Sequence, residues 1–204
     1  VYTESDEFLP ADNAVIKKTC RQIIGSETNP YNQARRIYTF LTSEIKARES
    51  SVADAGRSIL TALEEKNGSA YDLALLFCTL ARAAGVPAVP AAGLLVDQEQ
   101  KAMLRWWAEF YINGFGWIPV DPALASSVPF DTGVADKGRW YFGNLDAYHI
   151  AFSRGYQTQT PMLPNGKTTE KIRSYAFRSI WEEATPNISG YSVLWRIPKI
   201  TGVY

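Results

Sequence analysis

The chain has 204 residues, 46% of them hydrophobic, with 21 basic against 21 acidic side chains. That is enough apolar material for one domain with a sizeable core, and the balanced charge offers no general field to recruit nucleic acid or an anionic membrane. No apolar run reaches the roughly 20 residues that span a bilayer. The start at Val1, with neither initiator methionine nor signal peptide, suggests a processed or trimmed chain.

Residues 1–12 read as an extended lead-in, with Asp12 as N-cap of a first helix over 13–24. Val15, Ile16, Thr19, Cys20, Ile23 and Ile24 recur at helical spacing, and Gly25 ends the stripe. A second helix runs from Pro30 to about Ala47, burying Ala34, Ile37, Tyr38, Leu41 and Ile45. After a loop with Asp54 and Gly56, a short helix at 57–66 buries Ile59, Leu60 and Leu63.

The central element follows. Ser69 with Asp72 three residues on forms a capping box, which starts a helix at Ala70. From Leu73 to Ala84 only Thr79 and Arg82 interrupt an apolar surface, so this helix belongs inside the domain. Gly85 and Pro87 stop it.

Beyond Pro87 the period changes from helical to extended. Residues 88–96 predict a strand with an irregular middle at Pro90. Residues 103–112 alternate, with Leu104, Trp106, Ala108, Phe110 and Ile112 on one face and Arg105, Trp107, Glu109 and Tyr111 on the other. Asn113-Gly114 is a hairpin signal, and the return strand ends at Asp121-Pro122. Residues 123–138, rich in Ser, Gly, Pro and Asp, read as a surface loop. A polar stretch fills 156–171, and two last strands are predicted at 172–181 and 190–197.

Several of these segments resemble the transglutaminase-like superfamily. GSAYDLA at 68–74 and LARAAGVPA at 80–88 are similar to its nucleophile helix, G-x-C-x-x-[FL]-A followed by R-A-x-G-[IV]-P-A. ARRIYTFL at 34–41 resembles the helix before it, and WYFGNLD at 140–146 with HIAFSRG at 149–155 a strand segment found after the core in bacterial members. WAEFY at 107–111 and GWIPVDP at 116–122 are similar to the family's H-A-W-x-E-x-Y and G-W-x-P-x-D-P, with spacing and turn both in agreement.

The resemblance implies an α+β, papain-like transglutaminase-core fold: a helical N-terminal half whose buried central helix packs on an antiparallel sheet or partly open barrel. It covers residues 32–155, and the chain is expected to be a single domain, 1–204, with 156–204 as a C-terminal strand extension. It also places the family's cysteine at Ala70, its histidine at Arg105 and its aspartate at Asp121. A helix start lowers a thiol's pKa, a histidine moves the proton and a carboxylate orients the histidine. Alanine has no nucleophile, and an arginine cannot accept a proton near neutral pH. Changes at both positions argue for natural degeneration, not a laboratory knock-out.

Substitutes are scarce. Ser69 is expected to be occupied in capping, and Cys78 lies two turns, about 12 Å, further along the helix. His149, the only histidine, reads as a structural hydrogen-bonder. Cys20 and Cys78 read as buried hydrophobes, with a disulfide between them as the alternative. Two cysteines and one histidine give no zinc set, and no cofactor is implied. Glu64-Glu65 and Glu182-Glu183 read as solvated charges, and the sequons at Asn67 and Asn187 matter only in a eukaryotic secretory host.

Two roles stay open for Arg105: a bidentate brace to Asp121, or a cleft cation that binds a carboxylate or phosphate. Ser69, Tyr71, Trp106 and Trp107 are candidates to line a cleft for a protein, peptide or glycan, with ordinary packing as the competing role for the aromatics, Trp117 and Trp140 included. The expected function is a catalytically inactive binding or scaffolding module, and the competing one a peptidase or amide-bond transferase with an unrecognised nucleophile. Family habit places it in a bacterial envelope or secreted protein. Ligand and oligomeric state are not legible.

Overall fold

The computed structural model describes residues 2–49, 58–97, 99–126 and 133–155, together with the backbone of 157–159, 173–175 and residue 201. Helix α1 spans Ala14–Ile24, capped by the Asn13 side chain, which accepts from the N–H groups of Val15 and Ile16. Asp12, the sequence-based candidate for that cap, instead pairs with Ser5. Helix α2, Pro30–Glu44, ends three residues before the sequence predicts. Lys46–Ala47 leaves it as β1 and pairs in parallel with β2, Asn67–Gly68, a contact no local pattern announces. Helix α3, Ile59–Glu65, lies between the two.

Helix α4 covers Ala70–Ala83 and is buried on almost every side, as its composition requires. Both halves of the capping box form: the Asp72 N–H donates to Ser69 Oγ, and the Ser69 N–H and hydroxyl donate to Asp72 Oδ2. Gly68 lies so close to α4 that a Cβ there would sit 2.9 Å from the Cβ of Asp72. Together the β1–β2 pair and the box fix where α4 starts. Ser69→Ala is expected to cost about 1–2 kcal/mol of stability, read as a fall in urea midpoint at unchanged slope.

The sheet is antiparallel and open, with order β5-β4-β3-β6. Its strands are β3 (Ala88–Val96), β4 (Ala102–Ile112), β5 (Gly116–Val120) and β6 (His149–Arg154). The β4–β5 hairpin turns at Asn113–Gly114 as its sequence signals, with Gly114 at φ 83°. Pro90 sits within β3 without breaking its pairing to β4; the irregularity is a register shift against β6 at Ala92/Gly93. Strands β7 (Gln157–Gln159) and β8 (Arg173–Tyr175) form a separate pair, and the rest of the strands predicted at 172–181 and 190–197 lies outside the described residues.

Helix α4 packs on β3 and β4, with α1, α2, α3 and a short helix α5 (Pro122–Ala125) around it. Its Tyr71 and Phe77 meet Trp106 and Phe110, so the even-numbered residues of β4 face the main core. Leu104, on that same face near the start of the strand, is 49% exposed, whereas Arg105 and Trp107 on the other face are buried. The reason is a second, smaller core on that side, built from Leu95, Leu124 and Tyr141. Leu124 comes from α5 and Tyr141 directly follows helix α6, Lys137–Trp140. The stretch expected to be a surface loop thus supplies two short helices and a buried leucine.

Candidate functional site

Asp121 stands where the hairpin ends and caps α5 by accepting from the Leu124 N–H at 2.9 Å. Its carboxylate also receives Arg105 in a two-pronged pair, Nε to Oδ2 at 2.8 Å and Nη2 to Oδ1 at 2.7 Å. Arg105 is 3% exposed and Asp121 fully buried. Burial by itself would raise the carboxyl pKa, but the Arg105 charge and the hydrogen bonds from His149 and Arg105 outweigh it and hold Asp121 well below the usual carboxylate range. A group lowered in this way adds stability that is present above its unfolded value near 3.8 and disappears as pH falls through the folded value.

His149, placed by β6, completes a chain of contacts. Its Nε2 lies 3.3 Å from Asp121 Oδ2 and its Nδ1 2.8 Å from Asp146 Oδ1, while the Tyr141 hydroxyl donates to Asp146 Oδ2. The rings of Trp107 and Tyr141 flank the imidazole at 5.4 and 6.0 Å. Burial opposes charge on His149, yet the two carboxylates prevail and its pKa is raised. His149 is a hydrogen-bonder, as its sequence reading expects; its partner Asp146 is three residues away, whereas Asp121, 28 residues away, has no local signal.

Of the three positions matched to a catalytic triad, Arg105 and Asp121 are in direct contact. Ala70 is the first residue of α4, 3% exposed in the main core, with only a methyl group to offer. Ser69 and Trp107, two of the four cleft candidates, are buried as well; Tyr71 and Trp106 are partly covered and stack edge to face at 5.8 Å. Both Asp121 oxygens are bound to Arg105 in a buried two-pronged pair, the geometry of a brace.

The remaining nucleophiles are also enclosed. Cys20 and Cys78 are free thiols, which excludes the disulfide, and burial pushes both pKa values up. The Cys20 thiol donates to the Leu80 carbonyl at 3.5 Å. Among the described residues no group of three or more His, Cys, Asp or Glu side chains is placed to hold a metal ion, and no helix is long and apolar enough to cross a membrane.

A buried helix with a capped start, packed on an antiparallel sheet whose hairpin ends in a buried aspartate, is the papain-like architecture of transglutaminase cores. The chain belongs to the transglutaminase-like superfamily, whose family model matches residues 17–122. It is 29% identical over 184 residues to an uncharacterized protein of Haemophilus influenzae, a match that covers 74% of this chain and 49% of that one. The chain therefore spans about half the length of the curated relative it matches. The fold is similar to that of a candidate cysteine protease from Cytophaga hutchinsonii, with TM-score 0.52 and 20% identity over 60% of this chain and 40% of the other. The periplasmic domain of TgpA from Pseudomonas aeruginosa is a more distant likeness, with TM-score 0.42 and 19% identity over 54% and 42% of the two chains.

Proposed function

We propose that this is a catalytically silent transglutaminase-like domain that serves as a binding or scaffolding module. The observation that carries the reading is the buried Arg105–Asp121 pair: a guanidinium holds the carboxylate with which the family orients its histidine. Ala70, at the helix start where the family has its cysteine, supports the same reading.

His149 does not rescue the chemistry. A general base needs a free lone pair within reach of the proton it removes, and both imidazole nitrogens are turned toward carboxylates with the side chain almost fully covered. Neither Ser69, tied into the capping box, nor Cys78, deep in α4, has an activating partner of the kind a nucleophile requires.

With the cleft candidates Ser69 and Trp107 buried, the module's ligand, a protein, peptide or glycan, would be met through the more accessible Tyr71 and Trp106. The extracytoplasmic setting in this proposal follows the habit of bacterial members of the superfamily. The test is an assay of peptide-amide hydrolysis and of amine transfer to glutamine peptides. Wild-type protein is expected to show no turnover above background. Turnover that disappears in Ser69→Ala or Cys78→Ala would establish the competing reading of an active enzyme.

A further inference from the structure

We propose that His149 is a proton-operated latch, whose imidazolium fastens the connection 141–148 to the Asp121 end of the hairpin and whose deprotonation releases it. The geometry carries this. A neutral imidazole has one N–H, yet Nδ1 faces Asp146 at 2.8 Å and Nε2 faces Asp121 at 3.3 Å. Only the doubly protonated ring donates to both. In the neutral ring one lone pair points at a carboxylate oxygen, acceptor against acceptor, inside a site whose histidine side chain is 2% exposed.

The groups around His149 come from three places: the hairpin end, β4 and the connection. Asp121 ends the hairpin, Arg105 reaches the same carboxylate from β4, Asp146 belongs to the connection, and Tyr141 donates its hydroxyl to Asp146. With the proton in place the charges alternate: Arg105 positive, Asp121 negative, His149 positive, Asp146 negative. Without it the cluster carries a net negative charge, and Asp146 loses its cation. Asp146 also accepts from the Tyr148 N–H at 3.1 Å, so its release loosens the turn that leads into β6.

The direction of the His149 shift agrees. A raised folded-state value gives stability that is complete below the unfolded value near 6.5 and lost as pH rises through the folded value, so the latch is closed at low pH and opens as pH rises through that value. The Trp107 indole, packed edge-on to His149, buries an N–H that has no hydrogen-bond partner among the described residues.

Because His149 is the only histidine, one imidazole resonance reports its titration in the intact protein. Amide hydrogen exchange of residues 141–149, corrected for intrinsic rate, reports the connection. Protection is expected to fall about tenfold across the same pH interval in which the imidazole titrates. In Asp146→Asn both midpoints should move together to lower pH, and in His149→Gln the step should vanish. Protection that ignores the imidazole midpoint, or a step that survives in His149→Gln, would overturn the latch. Should His149→Gln fail to fold, joint movement of the two midpoints in Asp146→Asn decides the matter, and their separation refutes it.

Discussion

Asp121→Ala should cost about 3–5 kcal/mol, which is a large part of the stability of a domain this size. The change leaves the Arg105 guanidinium in a buried site without the carboxylate that meets it through two hydrogen bonds. It also removes the α5 cap and one of the two partners of His149. Most of the expected loss is the penalty of a stranded cation and not the net worth of the pair, because desolvation offsets much of the attraction between buried charges. The distinction can be measured. Replacing both partners, Arg105→Met with Asp121→Leu, should recover more than half of the loss in urea unfolding, whereas a pair of large net worth would leave the double variant as unstable as the single one.

Gly93→Ala is expected to be nearly as damaging, about 3 kcal/mol or more, although it adds a single methyl group. A Cβ at position 93 would lie 1.8 Å from the Ile150 carbonyl oxygen and 2.8 Å from its carbon, both backbone atoms that cannot rotate away. Strand β6 would have to separate from β3 at the register shift, and His149, paired across from Leu95, would move with it. Two readings should therefore change together: lower protection of the β6 amides, and a His149 pKa that drops back toward its ordinary value. Gly138→Ala, where the nearest atom is the flexible Asp136 side chain at 3.6 Å, serves as the control and should change stability by less than about 0.5 kcal/mol.

What could be read from the sequence was local. The Ser69–Asp72 box, the Asn113-Gly114 turn and the alternation of β4 each lie within a few residues, and each is present in the fold. The arginine-to-aspartate brace was foreseeable because the hairpin register brings Arg105 and Asp121 to one end of the same two strands.

The second core was hidden for a different reason. Leu124 and Tyr141 come from or next to a stretch whose Ser, Gly, Pro and Asp content is that of a solvated loop, yet they close the far face of the sheet. That closure covers the face of β4 opposite α4, where Arg105 and Trp107 are buried, while Ala108 and Phe110 are buried on the α4 face, so both faces of the strand are covered. His149 likewise has no motif around it, and its role arises from Asp146 nearby and Asp121 across the sheet. The end of α2 was misplaced because Lys46–Ala47 is claimed by a parallel pairing with Asn67–Gly68, some twenty residues further along the chain.

The central claim is that no working thiol is offered at the head of α4 or anywhere else in the described residues, and native-state alkylation tests it most directly. Iodoacetamide is applied to the folded wild-type protein at neutral pH, with peptide mass mapping of Cys20 and Cys78 against the same chain in urea. The account predicts alkylation of both cysteines at least about a hundredfold slower in the folded protein, as burial and raised pKa values require. Rapid labelling of Cys78 in the native state, with amide turnover lost as the label goes on, would contradict it.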